Sequence, residues 1–169
     1  MISQRNPSAS KGNAVISTLI YSSNSLIQVS DPGFEAEIDR IRAVAEVRNA
    51  RDGITGFLFY FDNRFVQIIE GDFEPVTALF ARIRRDTRHG QARIIWFSEN
   101  EERAFADWSM DCSMAYVAKH HIEVGVKLSF LTRFISDTSQ QHIKLRDLLV
   151  DIASAMQRRA EFPRPRLVA

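Results

Sequence analysis

A chain of 169 residues, with 45% hydrophobic and 25% charged side chains, has the composition of an ordinary globular domain and is long enough to bury a core without staples. Its formal net charge of +1 argues against an electrostatic binder of nucleic acid or of a membrane surface, and its single cysteine, Cys112, excludes an internal disulfide or a thiolate zinc site and fits a reducing, cytoplasmic setting. The four His offer no metal site, because His120 and His121 are neighbours that diverge on a helix, and no segment reaches the run of about 18 apolar residues that a bilayer span needs.

Residues 1–14, MISQRNPSASKGNA, are polar and read as a disordered lead. AVISTLIYSS is β-rich and predicts a first strand over about Val15 to Tyr21. Asp31-Pro32-Gly33 is turn chemistry that can open a helix. Phe34, Ile38, Ile41 and Ala45 then recur at helical spacing, one stripe facing a core, until NARDG closes the helix with Gly53 as a left-handed stop. ITGFLFYF and RFVQIIEG are two strands joined by Asp62-Asn63, a two-residue hairpin signal. Glu74-Pro75 suits a first helical turn, and Val76, Leu79, Phe80 and Ile83 form the apolar face of a second helix expected to end at Gly90. ARIIWFS is a fourth strand, and a short fifth is expected around Trp108 to Ser113.

The order β-α-β-β-α-β-β predicts an α+β, ferredoxin-like sandwich: a five-stranded mixed sheet with two helices on one face, strands 1 and 3 being parallel central neighbours. After it, GVKLSFLTRFISD and a stronger repeat through Ile143, Leu145, Leu148, Leu149, Ile152 and Met156 predict a C-terminal helical cap that covers the other face of the sheet or a partner. The expected division is a lead over 1–14, a domain over 15–115, the cap over 116–162 and a Pro-broken tail over 163–169.

One strand contains a misfit. Phe65 and Ile69 share a face, and Gln67 sits between them on it. A buried amide costs free energy unless its donors and acceptor find partners. Tyr21 on the neighbouring strand can lie beside it, which alone makes a satisfied core pair. Asn49, at the end of the first helix, is either a helix C-cap or a third polar group converging on a ligand slot. Arg82, Asp86 and His89 follow at i, i+4 and i+7. They form either a solvated face with an Arg–Asp pair or a polar rim for the sugar and phosphates of a nucleotide, with Arg85 and Arg88 adding charge. Trp108 and Met110 suit a core, and Cys112 a small buried hydrophobe. No phosphate-loop, dinucleotide or nucleophile-elbow motif occurs.

Taken in order, LIYSS, NARDGITGFLFYFDNRFVQIIEG, ARIRRDTRH and FADWSM resemble the BLUF family of blue-light sensors, over about residues 15 to 115. The resemblance implies FAD held noncovalently between the two helices and no catalytic turnover. It implies that Tyr21 is the photoactive tyrosine and Gln67 the switching glutamine, that Asn49 bonds the flavin edge, and that Ile41 and Ile83 clamp the ring. Arg82, Asp86 and His89 fall where the family contacts the ribityl, phosphate or adenine side. Trp108 and Met110 match the pair on the fifth strand that relays the signal, either of which could face the flavin. Blue light would draw an electron and a proton from Tyr21 and return them, leaving Gln67 rotated or tautomerised. The implied partners are a downstream signalling protein and further copies of the chain, without nucleic acid or membrane.

Two other classes share the strand order. An RNA-recognition domain needs exposed stacking rings and a basic-Gly-aromatic run, which RFVQIIEG lacks. An acylphosphatase-like or other ligand-binding module needs a phosphate-cradling loop near the first strand, and YSSNS is not Gly-rich.

Overall fold

Residues 15–28, 30–100, 102–106, 111–114 and 143–157 are described by the structure, a computed structural model. The polar lead, Trp108 and Met110, the first of the expected C-terminal helices and the tail lie outside these residues. The elements are β1 Ile16–Ser25, α1 Phe34–Arg51, β2 Thr55–Phe61, β3 Arg64–Gly71, α2 Phe73–Ile83, β4 His89–Asn100, β5 Asp111–Met114 and α3 Ile143–Gln157.

Local chemistry accounts for most boundaries. Helix α1 carries Glu35 and Glu37 in its first turn and Arg48 and Arg51 in its last, complementing the helix dipole. It stops where Gly53 adopts φ +64°, a left-handed conformation open to glycine at little cost. The β2–β3 hairpin turns on Asp62 and Asn63, whose φ values of 49° and 55° give the primed turn that matches strand twist.

Two boundaries differ most from expectation. Strand β1 continues to Ser25 because it pairs on both sides, with β3 as far as Asn24 and with β4 as far as Ser25. Helix α2 ends at Ile83 and not at Gly90, and by His89 the chain is already paired in β4. Its apolar stripe stops at Ile83; RRDTRH offers nothing to bury, so no packing supports further turns.

The sheet order is β4-β1-β3-β2-β5. Strand β1 is antiparallel to both β3 and β4, β2 is antiparallel to β3, and β5 is parallel to β2. The expectation that β1 and β3 run parallel is therefore corrected. The crossover through α1 leaves a one-strand gap between β1 and β2, and the tight hairpin turns β3 back into that gap against both. The lateral neighbours survive the correction: Tyr21 stands directly opposite Gln67 in the β1–β3 ladder. Asn49, however, sits where β3 ends and β1 begins, since its carbonyl accepts the Ile54 N–H just ahead of β2.

Both faces of the sheet are covered. On the far face, Leu145, Leu149, Ile152 and Ala153 of α3 pack with Ile20, Phe57, Phe59, Val66, Ile68 and Phe105. The near face carries α1 and α2. Double coverage explains why β2 reads TGFLFYF with no polar alternation. Within it Gly56, at φ +153°, is needed for close approach, because a Cβ there would lie 2.1 Å from the Ile68 carbonyl oxygen.

Candidate functional site

The near face is not one continuous core. Helix α2 packs through Val76 and Phe80 with Leu19, Tyr21, Ile54 and Ile69, whereas α1 packs through Phe34 and Ile38 with Leu58, Tyr60 and Phe65. Between these clusters lies a cleft of about 380 Å³, within the size range of small-molecule sites. Tyr21, Ile41, Asn49, Gln67, Arg82, Ile83, Asp86 and His89 all line it, so tertiary structure gathers every described residue singled out in the sequence for ligand contact.

Its floor is polar in one place. The Tyr21 hydroxyl donates to Gln67 Oε1 at 2.6 Å, and the two residues are 3% and 5% exposed. Opposite positions in a ladder hold their side chains side by side on one face, which is how two rigid strands fix this pair. The Tyr21 ring also lies 5.5 Å from that of Phe80 and 6.4 Å from the His89 imidazole, nearly parallel to the latter. Ile41 and Ala45 of α1 form one wall, and Leu79 and Ile83 of α2 the other.

Asn49 lines the cleft and is 1% exposed, yet neither side-chain atom has a hydrogen-bond partner among the described residues. Each unpaired buried polar group costs about 1–3 kcal/mol. The capping role open to Asn49 is filled without its side chain: the Asp52 and Gly53 N–H groups donate to the Arg48 and Ala50 carbonyls. Its amide is therefore a polar group in want of a partner, in a cleft able to admit one.

The rim departs from the expected helical stripe. Arg82 is on α2, Asp86 lies in the following loop, and His89 opens β4. The Arg82–Asp86 pair is replaced by two others. Arg82 Nη2 donates to Asp52 Oδ2 at 3.4 Å. Asp86 Oδ1 accepts from both the backbone N–H and Nε of Arg88 at 2.9 Å, and Asp86 Oδ2 accepts from Arg88 Nη2. Arg88 Nη1 also donates to Glu37 Oε1 at 3.0 Å, tying the loop to α1. The Arg88 guanidinium holds the Asp86 carboxyl below the usual carboxylate range. Burial pushes the His89 imidazole down, outweighing the attraction of Asp86, and His89 Nδ1 has no hydrogen-bond partner among the described residues.

Leu58, Phe65, Arg42 and Arg48 also line the cleft and were not singled out for ligand contact. Phe65 shares its face with Gln67 by period two, and Arg48 follows Ile41 by seven residues on α1, so spacing alone could have found both. Leu58 is legible only through register, as the residue opposite Gln67 in the β2–β3 ladder. Among the described residues, no three or more His, Cys, Asp or Glu gather where they could hold a metal ion.

The family model described as BLUF, sensors of blue light using FAD, matches residues 16–111. Photoactivated adenylate cyclase subunit beta of Euglena longa is 34% identical over 100 residues, which is 59% of this chain and 11% of that protein. The chain thus spans about a tenth of the length of this curated relative. Among solved structures, the dark state of BlrB, a BLUF protein, aligns with a TM-score of 0.66 at 30% identity, over 86% of this chain and 99% of that one. A bacterial light-regulated adenylyl cyclase aligns with a TM-score of 0.60 at 30% identity, over 71% of this chain and 33% of that one.

Proposed function

This chain belongs to the BLUF family, blue-light sensors whose cofactor is FAD, and on that premise we propose that its photoactive pair is Tyr21 and Gln67 at the floor of the α1–α2 cleft. The hydrogen bond from the Tyr21 hydroxyl to Gln67 Oε1, buried in a cleft of ligand size, is the observation that carries this reading.

The residues present suit FAD. The two unpartnered amide atoms of Asn49 match a ring edge that both donates and accepts. Ile41 and Ile83, on opposite helices, supply apolar walls for a planar ring. Arg82, Asp86 and His89 stand at the rim for the ribityl, phosphate and adenine portions, with Arg42, Arg48 and Arg85 adding positive charge. When bound, FAD supplies absorption of blue light and, once excited, oxidising power.

The chain's own residues do the rest. Tyr21 holds its proton on a short bond to Gln67 and is the group placed to release an electron with that proton and recover both. Gln67 carries one acceptor and two donors, so rotation or tautomerisation exchanges what it offers Tyr21 and what it offers the cleft. A hydrogen-bond pattern switches while the covalent chain stays the same, and the signal is whichever arrangement of the surrounding elements the new pattern favours.

We read the strand order as ferredoxin-like with β5 added beside β2, residues 15–115 as the sensing domain and 116–162 as cap and output. The output acts on a downstream signalling protein, with Trp108 and Met110 as relays, and the chain works as a homo-oligomer without catalytic turnover of its own.

The test is spectroscopic. The purified chain takes up FAD, is yellow, and shows a reversible red shift under blue light; Tyr21→Phe keeps the flavin and loses the shift. A full shift in that variant overturns the assignment of the pair, and a chain that takes up no flavin overturns the reading as a whole.

A further inference from the structure

Glu70 is the one charged side chain fully buried among the described residues, at 0% exposure. It lies on β3 three residues after Gln67, roughly 10 Å along the strand and on the opposite face of the sheet. Its carboxylate has two kinds of partner. From the sheet and the segment after β4, Oε1 accepts the Ala104 N–H at 3.1 Å and the Thr18 hydroxyl at 3.5 Å, and Oε2 accepts the Phe105 N–H at 2.9 Å. From α3, Arg146 Nη2 stands 3.6 Å away, an ion pair longer than a hydrogen bond. The same nitrogen donates to the Glu102 carbonyl at 3.1 Å, while Arg146 Nε is buried with no partner among the described residues.

This set is lopsided. If Arg146 withdraws, Glu70 keeps two backbone N–H donors and a hydroxyl, and Arg103 still holds the same strand end through the Glu70, Gly53 and Thr55 oxygens at 2.8 to 3.0 Å. Releasing α3 from the carboxylate therefore leaves no bare buried charge, which is the usual reason that such a pair is costly to break. Among the described residues, Arg146 ties α3 to the Glu102 carbonyl and to Glu70, beside the apolar packing of Leu145, Leu149, Ile152 and Ala153.

The site of release is coupled to the floor of the cleft by register. Tyr21–Gln67 and Thr18–Glu70 are rungs of the same β1–β3 ladder, one bonded across the near face and the other across the far face. A displacement of β3 against β1 alters both together, because strands in a packed sheet move as units.

We propose that the Glu70–Arg146 contact is a latch that docks α3 on the sheet in darkness and loosens when the partners of Gln67 change, an inference that rests on the photoreceptor reading for its trigger. The signal then crosses the sheet through β3 and leaves by α3.

Hydrogen exchange followed by mass spectrometry on the full chain with FAD tests this in dark and light. In darkness Arg146→Met speeds exchange across residues 143–157 about tenfold, and Arg146→Lys restores most of the protection. In the wild type, blue light speeds exchange in the same segment; in Arg146→Met it adds nothing further, while the red shift persists. Unaltered dark exchange in Arg146→Met overturns the latch regardless of the light response. So does a light-induced increment of equal size in wild type and variant, or a wild type whose red shift brings no change over 143–157. Absence of the red shift in the wild type strikes the photoreceptor reading instead, and the dark comparison still decides the latch.

Discussion

His89 shows how one side chain reports its surroundings. Burial lowers its proton affinity below the ordinary value of 6.5, with Asp86 pulling the other way and Arg88 reinforcing the shift. Between that value and the depressed one, the unfolded chain binds a proton that the folded chain does not. The stability tied to neutral His89 is therefore intact above about pH 6.5 and is lost as the pH falls through the folded value. Asp86, held low by Arg88, adds a second loss further into acid, below its ordinary 3.8. Thermal unfolding midpoints measured from neutral to acidic pH should show both phases, and His89→Gln should remove the first and leave most of the second, which Arg88 chiefly sets. An unchanged slope just below pH 6.5 in that variant counts against this assignment. Asn49 makes the complementary point: its unpaired amide weakens the fold by itself, which is the expected condition of a group kept for a ligand.

Among the elements, β2 and its flanking turn separate two demands on glycine. Gly53 has a positive φ with open space around its missing Cβ, whereas Gly56 has both a positive φ and the Ile68 carbonyl in the way. Gly53→Ala should cost about 1 kcal/mol from strain alone. Gly56→Ala should cost about 3 kcal/mol, because strain and overlap add and the obstacle is backbone in a paired strand. Denaturant unfolding of both variants checks the order, and equal costs would show that the sheet yields at Gly56. The hairpin and the end of α1 belong to the same class of effect, in which a few residues with unusual φ decide where the chain reverses.

At the scale of the whole molecule, the sheet divides two jobs. The near face is split by a cleft, and the far face, apart from the buried Glu70 and its partners, is an apolar layer closed by α3. Leu149 is fully buried in that layer, so Leu149→Ala should destabilise the chain by about 2–5 kcal/mol. Because the layer is separated from the cleft by the sheet, the variant should bind FAD with unchanged affinity. Denaturant melts and flavin titration read the two effects separately, and a parallel loss of affinity would mean that packing of the far face sets the shape of the cleft in darkness. No described helix is long and apolar enough to cross a membrane.

Much of this could be read from the chain before any fold was known. Alternation placed Gln67 on the same face as Phe65 and Ile69, Asp62-Asn63 marked the hairpin, and the order of motifs from LIYSS to FADWSM carried the family and its flavin. These are short-range properties, set by spacing and by the φ preferences of single residues. Tertiary structure alone decided that β1 and β3 run antiparallel, that α2 stops at Ile83, and that Asp86 and His89 reach the cleft from a loop and a strand. It also decided that Glu70 meets Arg146 across the far face. Periodicity tells which way a side chain points, but not which distant segment lies beside it. The bond from Tyr21 to Gln67 spans 46 residues of sequence, and only the packing of helices on both sides of the sheet determines that those two strands meet in that register.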